Sequence, residues 1–131
     1  MKKTASFGHL HSLSLSLFTM KRTYLGEFEE IVLLMVAGMD GEAYGVGITH
    51  KLNEETDRSV RLNQVHAALH RLQEKGMVAS RLGDPTPERG GRRKLLFTVT
   101  AYGYRTLQDI KEMRAQLWGN VPSAPKLAIN L

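Results

Sequence analysis

Two adjacent glycines followed by three cations, at positions 90–94, separate two short segments that are rich in strand-forming residues. Glycine tolerates positive φ without a Cβ clash, so this pair permits a sharp reversal of the chain. The following segment, residues 95–99, is apolar and β-prone, and residues 78–81 form a second strand candidate before the turn. The pattern predicts a β-hairpin with a basic tip.

Apolar residues at helical spacing predict three helices before the hairpin and one after it. The first spans residues 26–39 and the second spans residues 43–56. The third follows Asn63 as its N-cap and ends at Gly76, and Thr100 is expected to cap a last helix over residues 101–118. The expected buried faces are Phe28, Ile31, Val32, Met35 and Met39 in the first helix, Tyr44, Ile48 and Leu52 in the second, and Val65, Leu69 and Leu72 in the third.

This order of elements predicts an α+β fold in which the second and third helices form a helix-turn-helix and the hairpin forms a wing. The predicted units are a winged helix at residues 24–99 and an added C-terminal dimerisation helix at 100–118. Flexible segments are expected at residues 1–23 and 119–131. A small α+β domain with an incidental hairpin is the alternative.

The start of the chain does not match an export or membrane segment. The apolar run at residues 13–18 is short and interrupted by serines, and no stretch is long enough to span a bilayer. Met20 stands just before the first patterned helix, so we hypothesise that translation starts there rather than at Met1. The chain has no cysteine, which excludes disulfides and cysteine-based zinc sites and agrees with a cytoplasmic location.

The charges along the chain are separated by sign, although the net charge is only +5. Residues 26–57 contain eight acids and one base, whereas residues 58–94 contain nine bases and three acids. One sign concentrated in one block indicates an anionic partner for that block, and cations at a hairpin tip suit the phosphates of nucleic acid. A solvated surface of mixed sign is the alternative.

The third helix carries a polar surface beside its buried stripe. That surface comprises Gln64, His66, Ala67, His70 and Arg71, and it is expected to have no carboxylate. Such a surface, on the helix that follows a turn from another helix, suits the major groove of DNA. His66 and His70 are also spaced for a metal ion, but no third ligand is apparent, so we expect no metal site and no cofactor.

From residue 25 to 106 the sequence resembles the PadR family of bacterial winged-helix transcriptional regulators. The most distinctive match is the wing segment 85–93, Pro-Thr-Pro-Glu-Arg-Gly-Gly-Arg-Arg. The other matching segments are residues 25–30, 43–45, 69–72, 75–76 and 98–103. The chain departs from the family pattern at His66, where a tyrosine is usual, and at His70 and Gln73, where a polar or acidic residue and an acid are usual.

The resemblance implies a homodimeric DNA-binding repressor that responds to small molecules, with one helix in the major groove and a wing on the backbone or minor groove. It also implies the short subgroup with a single C-terminal dimerisation helix. The expected DNA-binding residues are Asn63, Gln64, His66, Ala67, His70, Arg71, Arg89, Arg92, Arg93 and Lys94. The expected dimer interface is Leu107, Ile110, Met113, Leu117 and Trp118, where Trp118 is either an interface anchor or a platform for a flat ligand.

We therefore expect a cytoplasmic, nucleoid-associated regulator, a repressor that binds an inverted-repeat operator as a homodimer and is released by a small hydrophobic effector or a stress signal. No membrane partner is expected. The sequence has no nucleophile elbow, P-loop or dinucleotide fingerprint, so we expect no enzymatic activity. The competing interpretation is a protein-interaction adaptor that keeps the winged fold without binding DNA.

Overall fold

The computed structural model describes residues 24–85, 87 and 90–123, and these ranges contain four α-helices and two strands. The predicted flexible segment 1–23, the hypothetical start at Met20 and residues 124–131 lie outside the described residues. In chain order the elements are α1 (Glu27–Gly38), α2 (Gly45–Glu55), α3 (Leu62–Glu74), β1 (Val78–Pro85), β2 (Arg93–Val99) and α4 (Ala101–Trp118). This order confirms the predicted α+β winged helix-turn-helix.

The first helix, α1, buries a wider face than its spacing predicts. Val32 is fully buried as expected, but so are Leu33 and Val36. The other predicted residues, Phe28, Ile31, Met35 and Met39, are only partly buried at the edge of the core. The face is wide because α1 contacts α2, α3, β2 and α4, so more than one stripe of the helix is covered.

The second helix begins two residues later than predicted, because the chain before it is extended. Ala43 is fully buried and forms an isolated antiparallel bridge with Phe97 of β2. The Phe97 N–H donates to the Ala43 carbonyl oxygen at 2.8 Å. Tyr44 is the N-cap of α2 with extended backbone angles and is half-buried, so its predicted place inside the helix is wrong.

The turn between α2 and α3 is closed by one side chain. The Asn53 side-chain amide donates to the Val60 carbonyl oxygen at 3.0 Å, and its oxygen accepts from the Val60 N–H at 2.9 Å. Both backbone groups of Val60 are thereby satisfied within the turn. The residues of α2 and α3 that were predicted to be buried are buried, apart from Tyr44, and they belong to the core: Ile48, Leu52, Val65, Leu69 and Leu72.

The hairpin β1–β2, residues 78–99, is the wing, and it is longer than predicted. Its antiparallel pairing runs from Val78 opposite Val99 to Pro85 opposite Arg93, with an irregularity after Leu82. At the predicted turn, Gly90 and Gly91 have φ values of +63° and +84°. This left-handed pair confirms that the two glycines reverse the chain.

The last helix, α4, has the predicted bounds and the predicted cap. The Thr100 hydroxyl oxygen accepts from the Gly103 N–H at 3.1 Å and donates to the Gly76 carbonyl oxygen at 2.7 Å. These bonds join the start of α4 to the end of α3. From residue 111 to 118 every residue of α4 is exposed, so the second half of the helix extends beyond the core of the protomer.

A buried carboxylate joins α1 to α3. Glu29 is only 8% exposed, and its oxygens accept from the Arg71 Nε at 2.6 Å and from the Lys75 Nζ at 2.5 Å. Burial by itself raises the pKa of the Glu29 carboxyl, but the hydrogen bonds from Lys75 and Arg71 outweigh burial and hold this pKa below its usual value. The ionised carboxylate therefore stabilises the packing of α3 on α1.

We predict that Glu29→Gln lowers the free energy of unfolding at pH 7 by about 1.5–3 kcal/mol, the range for a lost hydrogen bond to a charged group. The pKa of Glu29 is lowered on folding, so its stabilisation is present above the pKa of the unfolded chain and is lost as the pH falls through the folded value. Urea unfolding at pH 7 and pH 3 should show a difference between wild type and variant that shrinks at pH 3.

Glu27→Gln is the matched control, since Glu27 lies on the same helix and forms an ion pair with Arg58 but is 65% exposed at its side chain. An exposed pair of this kind contributes about 0–1 kcal/mol. Equal losses in the two variants at pH 7 would contradict the importance of the buried network.

Candidate nucleic-acid interface

The first turn of α3 is closed by the side chain of Gln64, which was predicted to bind DNA. The helix begins at Leu62 after the N-cap Arg61, so the prediction that Asn63 is the N-cap is wrong. The Gln64 side-chain oxygen accepts from the Arg61 N–H at 2.8 Å. This bond closes the first turn in the manner of a capping box, and it leaves Asn63 inside the helix as an exposed side chain.

The outer surface of α3 is polar as predicted, but it has a carboxylate at its far end. Asn63, Gln64, His66, Ala67 and His70 are all exposed. The His70 Nε2 lies 3.3 Å from a carboxylate oxygen of Glu74, one helical turn further on. The acid-free surface therefore ends at His70.

Three cations of the basic block are paired with acids of α1. Arg71 and Lys75 share the carboxylate of Glu29, and Arg58 pairs with Glu27. Arg71, which is predicted to bind DNA, uses its Nε on the buried Glu29, and its side chain is still 47% exposed. The separation of charge along the sequence is partly cancelled where the two blocks pack together.

The wing brings one arginine to the surface of α3. Arg93, the first residue of β2, is exposed and lines an open groove together with His66 and His70. Its Nε donates to the Gly83 carbonyl oxygen at 2.7 Å, which ties the side chain to the opposite strand. This groove, of about 410 Å³, is called the shared groove below.

The neighbouring cations of the wing differ in their surroundings. The Lys94 Nζ lies 4.1 Å from the centroid of the Tyr44 ring, which is within the range of a cation–π contact. This contact joins the base of the wing to the start of α2. Arg92 is exposed. Arg89 lies outside the described residues.

The shared groove also contains residues that the sequence analysis did not select. Tyr44, Gly45 and Val46, at the start of α2, also line it, and Val46 is 53% exposed. The described residues that line the groove include no carboxylate. The family resemblance at residues 43–45 could have indicated that Tyr44 belongs to this site. Helical spacing instead predicted that Tyr44 is buried in the core.

The predicted dimer residues on α4 divide into two sets. Leu107 is partly buried against the core of its own protomer, and Ile110 is half-buried. Met113, Leu117 and Trp118 are 48%, 57% and 69% exposed. The first two residues therefore belong in part to the fold of one chain, whereas the last three form an apolar surface that the protomer does not cover.

Two grooves flank α4 where it crosses α1. They are separated by the ion pair between the Arg114 guanidinium and the Glu30 carboxylate, at 2.8 Å. One groove, of about 500 Å³, is lined by Tyr102 and Met113 among others. The other extends to Trp118 and includes the exposed Leu34. Both present apolar side chains to solvent in the isolated protomer.

In the described part of the chain, no group of three or more histidines and acids is arranged to hold a metal ion. The same residues contain no helix that is long and apolar enough to cross a membrane.

Comparison with known proteins identifies the fold independently. The solved structures that resemble this one include three bacterial PadR regulators, and no curated protein matches the sequence. The PadR-like regulator of Bacillus cereus is 20% identical, with a TM-score of 0.58 over 70% of this chain and 84% of that one. The regulator of Clostridium difficile is 21% identical, with a TM-score of 0.56 over 69% and 91%. The regulator of Eggerthella lenta is 21% identical, with a TM-score of 0.54 over 95% and 96%.

At these identities the structures establish the winged fold, and the family assignment comes from the sequence. The sequence model of the transcriptional regulator PadR-like family matches residues 33–109. This match covers more than half of the 131 residues. The protein therefore belongs to the PadR-like family of transcriptional regulators, and it is a regulator rather than an enzyme.

Proposed function

We propose that this regulator binds duplex DNA as a homodimer and represses transcription until a small hydrophobic effector or a stress signal releases it. The observation that supports DNA binding most directly is that Arg93 of the wing and two histidines of α3 line one groove without a carboxylate. A helix surface can then meet base edges while the wing meets phosphates of the same duplex.

The proposed contacts follow from the surroundings of each side chain. Gln64, His66, Ala67 and His70 are exposed on α3 and are proposed to face base edges, with Asn63 and the start of the helix near a phosphate. The proposed phosphate contacts of the wing are Arg89, Arg92, Arg93 and Lys94. Arg71 of α3 is proposed as a further electrostatic contact, because its side chain is 47% exposed although its Nε is bonded to Glu29.

The proposed division of the chain is a DNA-binding unit at residues 24–99 and a dimerisation helix at 100–118. The exposed Met113, Leu117 and Trp118 support packing of α4 on its symmetry mate, because a surface of this kind is costly to leave in water. A two-fold dimer binds half-sites about one helical turn apart, so an inverted-repeat operator is expected. Such a protein would act at the nucleoid in the cytoplasm.

The proposed effector site is the groove between α1 and α4. Its volume of about 500 Å³ is in the range of small-molecule sites, and Tyr102, Ile110 and Met113 supply apolar lining. Glu30 and Arg114 supply polar groups at its wall. Because α4 is also the proposed dimer helix, a ligand in this groove would change the spacing of the two DNA-binding units.

A protein-interaction adaptor remains the second candidate, with an acidic protein as partner of the basic wing. A gel shift with the duplex upstream of the regulator's own gene separates the two candidates. Selection of bound fragments from random duplex DNA then defines the operator. A shift with a specific duplex supports the DNA-binding regulator. The absence of a shift with every duplex tested supports the adaptor.

We predict a steep salt dependence of operator binding. If about four cations of each protomer reach phosphates, the dimer makes about eight contacts and the slope of log affinity against log salt is roughly −7. Arg93→Ala removes two of these contacts from the dimer, so it should weaken binding to all duplexes alike and reduce the slope by about 2. Fluorescence anisotropy titrations at several salt concentrations measure both effects.

Lys51→Ala is the control for lost charge, because Lys51 lies on α2 outside the lining of the shared groove and pairs with Glu55 at 2.8 Å. It should leave the slope close to the wild-type value. A slope near zero for the wild type would remove the basic wing from the proposal.

We predict that Leu117→Glu converts the dimer to a monomer. The side chain is 57% exposed in the protomer, so the change should leave the fold intact while it places a charge in the proposed α4–α4 contact. Light scattering after size exclusion measures the mass. Leu82→Glu, at a 52% exposed position on the wing, should remain dimeric. Dimers of equal stability in both variants would contradict the proposed interface.

We predict that operator binding is tighter at pH 6 than at pH 8 at fixed salt. Imidazole side chains gain a positive charge over this range, and a cation in the shared groove favours phosphate and base acceptors. The double variant His66→Ala, His70→Ala should remove the pH dependence, because both imidazoles line the shared groove. Equal affinity of the wild type at both pH values would refute the prediction.

A further inference from the structure

Gly45, the first residue of α2, lies against one edge of the His66 imidazole. Gly45 is buried, and a Cβ placed on it would lie 2.2 Å from the His66 Nε2 and 2.7 Å from the His66 Cδ2. Non-bonded atoms do not approach a Cβ so closely. The imidazole therefore occupies the space that any side chain at position 45 would need.

The contact determines how the His66 ring is oriented in the shared groove. Because the edge with Nε2 and Cδ2 lies against α2, the Nδ1 edge is turned away from that helix. A ring nitrogen can donate or accept a hydrogen bond according to its protonation. The absence of a side chain at position 45 thus decides which edge of the imidazole is available to a ligand in the groove.

A side chain at position 45 would displace this ring rather than disrupt the fold. The backbone of Gly45 is in the ordinary helical region, and the nearest atoms are the ends of side chains, His66 and then the Leu62 Cδ1 at 3.3 Å. His66 is exposed on its outer side and can rotate away. The substitution therefore separates the position of the imidazole from the stability of the protein.

We propose that Gly45 is a specificity-determining positioning residue, which acts on base recognition by holding His66 against the first turn of α2. This inference rests on the proposed DNA-binding function and adds to it a residue that does not itself touch a base. It concerns this chain in particular, since its α3 carries an imidazole at position 66.

The test is a double-mutant cycle on the operator selected by the wild type. Wild type, Gly45→Ala, His66→Ala and the double variant are compared by anisotropy on that operator and on its single-base-pair variants. His66→Ala should reduce discrimination by at least about fivefold at one or more base pairs, and Gly45→Ala should do so at the same base pairs. In the His66→Ala background, Gly45→Ala should have no further effect.

Gly38→Ala is the matched control, because a Cβ on Gly38 of α1 would meet no atom within 4 Å. It should keep the wild-type discrimination. The proposal is overturned if Gly45→Ala keeps that discrimination, or if it weakens discrimination by the same factor with and without the imidazole.

A readout without DNA keeps the inference separate from the proposed function. The imidazole NMR signals of His66 should shift in Gly45→Ala and stay in place in Gly38→Ala, while those of His50 stay in place in both. Unmoved His66 signals in folded Gly45→Ala overturn the positioning contact. If the His66 signals shift in Gly45→Ala but the wild type binds no duplex, the DNA-binding proposal is overturned. Gly45 then positions the His66 ring without a role in base recognition.

If Gly45→Ala does not fold, the double variant decides the matter. Recovery of folding in the His66→Ala background supports a contact between residue 45 and the ring. Failure of both to fold overturns the proposal, because Gly45 is then needed for a reason other than His66.

Discussion

The geometry of the shared groove depends on one backbone hydrogen bond between the wing and the helix-turn-helix. The Phe97 N–H of β2 donates to the Ala43 carbonyl oxygen just before α2. A buried amide that lost this partner would carry a penalty of about 1–3 kcal/mol, so the bond favours one position of the hairpin. Arg93 and Lys94 are only a few residues from this point, which is why they lie beside the start of α2 and the outer surface of α3.

Contacts at the start of α2 stabilise the same arrangement. The Lys94 ammonium of the wing lies 4.1 Å from the centroid of the Tyr44 ring, and a Cβ on Gly47 of α2 would approach the same ring to 2.9 Å. Gly45, two residues earlier, is in contact with His66. Gly47 thus leaves space for the Tyr44 ring and Gly45 leaves space for the His66 ring. Each glycine lowers the stability of the helix by about 1 kcal/mol relative to alanine. Glycine is needed at both positions because the wing and α3 pack closely against α2.

The electrostatics of the molecule follow from packing as much as from composition. Glu29 is buried and needs cations, and α3 supplies Arg71 and Lys75 to it. These two cations stabilise the orientation of α3 on α1 and are correspondingly less available to an anionic ligand. Arg93 and Lys94 of the wing contact the Gly83 carbonyl oxygen and the Tyr44 ring instead of this acid.

The sequence by itself determined the order of elements, the two-glycine turn, the Thr100 cap and the buried stripe of α3, because each depends on residues close together in the chain. It also showed that the wing is basic and that α3 presents histidines. The tertiary structure alone decided that Arg71 is bonded to Glu29, that Ala43 leaves the helix to pair with Phe97, and that Gly45 lies under His66. These features join residues 20 or more positions apart. The spacing of neighbouring residues cannot predict which distant backbone group or charge a side chain will contact.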